Sequence, residues 1–251
     1  MIKFLIIIVS TLPLGNIYAQ LSNSQNLTTP YGQTAFSIPK GSCLYQNILV
    51  IGNQIHYGIG KSTSIGLSMF PTSLNSDQLQ IIGALSPNYA IGINSKESFK
   101  IGAFVSFGFA PKTGGLSELG GLYLLYSRCL SRNDMITIGY SYMGSTTNFP
   151  PWSNLITVNY KHSIINSKVG LEIDGIYRWS EENWGMPEWG TIWNDKNLLF
   201  TAIISLRFKQ NDHIALGLTN SYHYSWTPIL GASENSLLFP FLGYSCLIGA
   251  D

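Results

Sequence analysis

The sequence predicts an all-β protein: a closed, antiparallel, up-and-down transmembrane β-barrel of about twelve strands, with ten as the lower count. Three observations predict it. Charge is scarce, apolar and small polar residues alternate with period two, and short polar turns alternate with longer loops along the chain. Only 11% of the 251 residues are charged, against about 25% in ordinary soluble domains. Gly, Tyr and Phe are abundant instead, at 25, 14 and 12 residues. The net charge of +1 excludes a strongly basic nucleic-acid surface and an acidic disordered chain.

Residues 1–19 read as a secretory signal, with Lys3 as the positive region, Phe4 to Val9 as the apolar run and Ile17-Tyr18-Ala19 before the cut at Gln20. That run is well short of the roughly 20 apolar residues of a membrane-spanning helix. Losing Lys3 leaves 13 charges of each sign, a neutral mature chain. Residues 20–33, rich in Ser, Asn, Gln and Thr, read as a flexible N-terminal leader. Residues 34–251 read as one barrel domain.

The expected strands run over 34–38, 43–60, 63–71, 78–93, 98–109, 118–130, 134–144, 154–163, 168–178, 197–208, 212–222 and 237–249. Short turns such as Lys61-Ser62-Thr63-Ser64 and Ser131-Arg132-Asn133-Asp134 join them on one side, and longer Pro-, Gly-, Asn- and Trp-rich loops on the other. Over 134–144, Ile136, Ile138, Tyr140 and Tyr142 share one face while Thr137, Gly139 and Ser141 share the other. Over 197–208, Phe200, Ala202, Ile204 and Leu206 oppose Thr201, Ser205 and Arg207. Pro87 interrupts 78–93 and is expected at a bulge, because a closed ladder has no free edge to hold it.

The polar face decides between a soluble sandwich and a membrane barrel. Facing bulk water it would carry many long charged side chains, yet it is mostly Gly, Ser, Thr and Asn. Small polar residues suit the crowded inside of a narrow barrel with an apolar exterior. Cys43, Cys129 and Cys246 are odd in number and widely spaced, without a C-x-x-C pattern, so neither a disulfide framework nor a zinc site is expected.

The stretch TAFSIPKGSCLYQN followed by HYGIGKSTSIGLSM resembles the opening of an uncharacterised outer-membrane β-barrel family of Bacteroidota-type bacteria. Lys40, Gly41, Tyr45, Gln46 and Asn47, then Tyr57, Gly58, Ser64, Ile65 and Gly66, carry the likeness, which covers residues 34–70 best. Cys43 departs from the aromatic or Gly usual there. The resemblance implies fold and location, and no chemistry.

Phosphate-loop, dinucleotide and zinc-protease motifs are absent. No cofactor, metal or catalytic set is therefore expected, and the protein is read as a non-enzyme. Two polar groupings stand out. Lys161, Glu172, Asp174 and Arg178 share the face opposite the apolar set, with Arg207 on the following strand and His56 also turned inward, forming a lumen-facing cluster. Such charges should pair with one another, as a structural plug or as the lining of a selective pore. In the longest loop, Trp184, Trp189 and Trp193 with Glu181 and Glu188 form a candidate recognition surface for a glycan or partner.

The expected protein is thus an outer-membrane barrel of structural or narrow porin-like role. Its partners would be outer-membrane lipid, the barrel-assembly machinery and a small solute or glycan, with no nucleic acid. A soluble exported barrel binding an apolar ligand is the alternative, and a lipid-modifying outer-membrane enzyme a weaker one.

Overall fold

The computed structural model describes residues 27–29, 32–48, 52–73, 80–109, 116–145, 153–164, 168–179, 198–208, 211–221 and 237–249. A two-strand hairpin, β1 (Thr28–Thr29) and β2 (Gly32–Gln33), precedes the barrel wall. The wall is built of β3 (Cys43–Ile48), β4 (Gly52–Gly58), β5 (Thr63–Ser73), β6 (Gln80–Asn94), β7 (Glu97–Phe109) and β8 (Leu116–Cys129). It continues through β9 (Asp134–Ser145), β10 (Ser153–Ile164), β11 (Val169–Trp179), β12 (Leu198–Arg207), β13 (Asp212–Ser221) and β14 (Leu237–Ile248). Each wall strand pairs antiparallel with its neighbour in sequence, and β14 returns to β3 from Gly243↔Ile48 to Ile248↔Cys43, closing a twelve-strand barrel. Closure removes the open edges that would otherwise invite pairing with another chain or leave backbone groups unbonded in lipid.

Period-two alternation sets the two faces. On β7, Val105 is 55% exposed and the next residue, Ser106, only 9%. Ile101, Leu124, Ile138, Val158, Leu218 and Leu242 likewise point outward, whereas Ser98, Ser127, Thr137, Asn159, Thr201 and Ser245 are buried inside. Aromatic rings rim this apolar belt. Phe99 lies tilted against Tyr126 at 4.8 Å and Tyr45 lies 6.2 Å from Tyr244 toward the short-turn end, while Tyr142 and Tyr177 are exposed toward the long-loop end. This is the distribution a wall needs when lipid is its outer solvent.

The strand count agrees with expectation, but two of its members differ. The expected strand at 34–38 is not part of the wall. Thr34, Ala35, Phe36, Ser37 and Ile38 are all buried, whereas a wall strand would turn every second side chain outward. The expected run 43–60 is two strands, since Ile48 pairs with Gly52 and the chain reverses between them. The intervening Leu49-Val50-Ile51 is apolar throughout and carries no turn residue, so the sequence hides the reversal.

Pro87 makes no bulge. Leu85↔Val105 and Asn88↔Gly102 keep one register across it, and its ring is exposed on the outer face. A proline whose neighbours hold register costs the ladder a hydrogen bond without shifting it. The register shifts instead at Pro71/Ser73 and at Gly92/Asn94. Cys43, Cys129 and Cys246 are free thiols at or near strand ends.

Candidate functional site

The residues preceding the wall turn back into the barrel. Gly41 has φ 80, a left-handed conformation open to glycine, and its N–H donates to Gly58 O at 2.8 Å. Ser42 N–H donates to Pro39 O at 3.0 Å, and Gly58 N–H to Ser42 O at 2.9 Å. A side chain at Gly58 would put its Cβ 2.2 Å from Pro39 O, so this crossing of chain over wall requires glycine.

Inside, Phe36 and Ile38 join Leu27 against Leu44, Met135 and Leu247, inward residues near the short-turn ends of β3, β9 and β14. Phe36 is 0% exposed. The lumen is therefore not uniformly small and polar: this apolar cluster fills its short-turn end, and Ile48, Ile203, Ala215 and Phe241 form another. Polar bonds fix the register of the inner segment. Ala35 N–H donates to Ser127 Oγ at 2.8 Å, Ser98 Oγ donates to Ala35 O at 2.8 Å, and Lys100 Nζ donates to Gln33 Oε1 at 3.1 Å. Thr34 N–H closes the small hairpin onto Leu27 O at 3.1 Å. Residues 27–29 and 32–39 thus form a plug seated from the short-turn end.

Beyond the plug lies a cavity of about 240 Å³, lined mostly by polar residues with Leu125 and Ile176 among them. Gln33 of the plug is part of its lining, with Gln54 and His56 of β4, Tyr123 of β8, Thr157 and Asn159 of β10, and Asp174 of β11. His56 bonds Gln54 Oε1 through Nε2 at 3.3 Å. Asn159 Nδ2 donates to Ile173 O at 3.4 Å.

The structure places His56, Lys161, Glu172 and Asp174 in the lumen, none more than 5% exposed. Antiparallel register brings Lys161 opposite Glu172 and Asn159 opposite Asp174, and Lys161 Nζ lies 3.4 Å from Glu172 Oε2. The described interior holds two buried lysines, Lys100 and Lys161, and two buried acids, Glu172 and Asp174, with Lys100 bonded to Gln33 and Lys161 to Glu172. Arg207 ends β12 opposite His213, is partly exposed, and makes no ion pair among the described residues. Arg178 is paired with Leu155 through its backbone, and its side chain lies outside the described residues. So do Trp184, Trp189, Trp193, Glu181 and Glu188.

Sequence reasoning missed Lys100, Gln33, Asn159 and His213 as lumen groups. Lys100 and Asn159 were readable by parity, from their alternation with Phe99 and Ile101 and with Val158 and Tyr160. His213, next to a turn in sequence, is buried and its Nε2 meets Ser245 Oγ at 2.9 Å. His162 instead points outward at the short-turn rim, 2.8 Å from Asp134. Gln33 had no readable signal, because its place depends on the plug.

No protein-family model matches the chain, and no curated protein matches it in sequence. Its fold is similar to that of solved outer-membrane barrels. The structure of a KdgM porin matches at TM-score 0.51 and 8% identity, over 82% of this chain and 98% of the porin. A KdgM porin in complex with disordered oligogalacturonate matches at TM-score 0.50 and 8% identity, over 82% and 96%. At that identity the likeness is one of architecture: this chain folds as a porin-type twelve-strand barrel.

Proposed function

We propose that the protein is an outer-membrane barrel providing a narrow passive passage for small polar solutes, with the plug of residues 27–29 and 32–39 constricting its periplasmic end. The observation that carries this reading is a cavity of about 240 Å³, lined mostly by polar residues, inside a wall whose outer face is apolar. A soluble protein would need the opposite arrangement, with the apolar face inside. The short turns and both ends of the wall then face the periplasm, as in single-chain bacterial barrels. The similarity to the KdgM porin fold supports a passage, and the oligogalacturonate in one of those structures supports a solute of glycan type.

Several expectations belong to the same reading: export by residues 1–19, delivery by the barrel-assembly machinery, and membership of the barrel family that Lys40–Asn47 and Tyr57–Gly66 resemble. Trp184, Trp189 and Trp193, with Glu181 and Glu188, would then meet solutes or partners outside the cell. Passage, rather than catalysis, is the role proposed.

The test is to reconstitute the full chain in planar bilayers. Small, resolvable conductance steps are expected. Recovery of the protein in the soluble periplasm, without a heat-dependent change in gel mobility, would overturn the location.

A further inference from the structure

We propose that the short-turn rim of the barrel is a binding surface for the headgroups of anionic phospholipids in the leaflet that faces the periplasm. This rests on the membrane location proposed above and not on passage through the lumen.

The rim is cationic. Lys40, Lys61, Lys96, Arg128, Arg132 and Lys168 are all exposed there, with Arg207 partly exposed beside them. The acids described at this end are Glu97, Asp134 and Asp212. Glu97 is held by Arg128 at 3.2 Å, and Asp134 accepts from Tyr160 Oη at 2.6 Å. The other charged side chains that are described, Lys100, Lys161, Glu172 and Asp174, are buried in the lumen. The longest loop, at the opposite end, is acidic in sequence, with Glu181, Glu182, Glu188 and Asp195 against Lys196. Positive charge is therefore gathered at one end of a chain whose net charge is only +1.

The pattern repeats from hairpin to hairpin. Lys61 stands between β4 and β5, Lys96 between β6 and β7, Arg132 between β8 and β9, and Lys168 between β10 and β11. Each of these cations has a bulky apolar neighbour at the same turn: Ile59, Ile93, Leu130 and Ile164 are 54%, 40%, 55% and 40% exposed. Two of the turns are built alike, with Ile59 N–H donating to Thr63 O and Leu130 N–H to Asp134 O, both at 2.9 Å. Phe208, 67% exposed, donates in the same way to Asp212 O at 3.1 Å between β12 and β13.

This pairing selects the partner. A water-soluble anion would answer the cations and leave the apolar side chains in water. At a bilayer interface both are satisfied, because the apolar group enters the acyl region while the ammonium or guanidinium reaches the phosphates above it. Phe99 with Tyr126 and Tyr45 with Tyr244 mark the same level of the wall as interfacial. The surplus of cations over acids favours an anionic headgroup over a zwitterionic one.

The experiment reconstitutes the full chain in phosphatidylcholine vesicles. Electron paramagnetic resonance then compares spin-labelled phosphatidylglycerol with spin-labelled phosphatidylcholine at the barrel surface. Phosphatidylglycerol should associate about threefold more strongly at low salt, and near parity in about 1 M NaCl, where the Debye length is about 3 Å. The combined variant Lys61→Gln, Lys96→Gln, Arg132→Gln and Lys168→Gln, checked for folding by heat-dependent gel mobility, should lie near parity even at low salt. Lys61→Arg, Lys96→Arg, Arg132→Lys and Lys168→Arg together should keep the preference. The parent's salt response decides the question independently of the variants. The inference is overturned by a preference that salt leaves unchanged, or by a folded glutamine variant as selective as the parent. Equal association of the two lipids with an inserted parent barrel overturns this inference alone, and assigns the cations to a water-soluble acidic partner. A chain that stays soluble and does not enter vesicles overturns the location, and this inference with it.

Discussion

Lys100 Nζ donates to Gln33 Oε1 at 3.1 Å, joining a cation on the barrel wall to an amide on the plug inside it. Lys100 is 0% exposed, so the amide oxygen replaces part of the hydration that the ammonium loses. Gln33→Leu removes that acceptor and leaves the charge buried. Unfolding should become easier by about 1–3 kcal/mol, and the bilayer conductance should rise as the plug loosens. Adding Lys100→Met should recover most of the stability without restoring the constriction. Equal stability of the single and double variants in urea titrations would argue against the tether.

Phe36 is the apolar anchor of the plug, enclosed with Ile38, Leu44, Met135 and Leu247. Phe36→Ala should cost about 3–5 kcal/mol, the usual range for deleting a buried aromatic. Because the wall closes without it, the loss should fall chiefly on the plug. The expected result is larger conductance steps from a barrel that still shows heat-dependent gel mobility.

Gly58 tests the entry of the chain into the lumen. In Gly58→Ala the new Cβ would meet Pro39 O at 2.2 Å and Ile38 O at 2.9 Å, both backbone atoms that cannot rotate aside. The plug stem must move. Protease added to the refolded protein should then cut within residues 27–39 several-fold faster than in the parent, as mass spectrometry of the fragments would reveal.

Lys161 and Glu172 face each other across β10 and β11 at 3.4 Å, both buried. Glu172→Gln removes one member of a desolvated pair, which characteristically costs about 3–5 kcal/mol. Lys161→Met in the same chain should return much of that. Equal numbers of buried lysines and acids in the described lumen make a matching forecast for ion flow. The parent should discriminate weakly between K⁺ and Cl⁻, while Glu172→Gln and Asp174→Asn should shift the reversal potential toward anion preference. An unshifted potential in both variants would place these carboxylates away from any conducting path.

The wall was legible in the chain because period-two alternation is a local property. Ile101, Ala103 and Val105 point outward, and Lys100, Gly102 and Ser106 inward, once the strand is recognised. The inward placement of Lys161, Glu172, Asp174 and His56 followed from the same parity. Parity failed where a segment has no face to choose. Thr34 to Ile38 alternates like a strand, yet lies wholly within the lumen, where neither side meets lipid. It failed again between Ile48 and Gly52, where an apolar stretch lies at a reversal.

By itself, then, the sequence determined the class of fold, the solvent each face of the wall meets, and the location of most lumen charges. All three are set by residues two apart on one strand. Only the tertiary structure decided what occupies the lumen. The plug exists because Gly41 and Gly58 let the chain turn back over the wall, and because Phe36 meets Leu44, Met135 and Leu247 from distant strands. The cavity likewise joins Gln33, His56 and Asn159, residues far apart in sequence. Barrel closure sets their spacing, and closure depends on all twelve strands pairing in register.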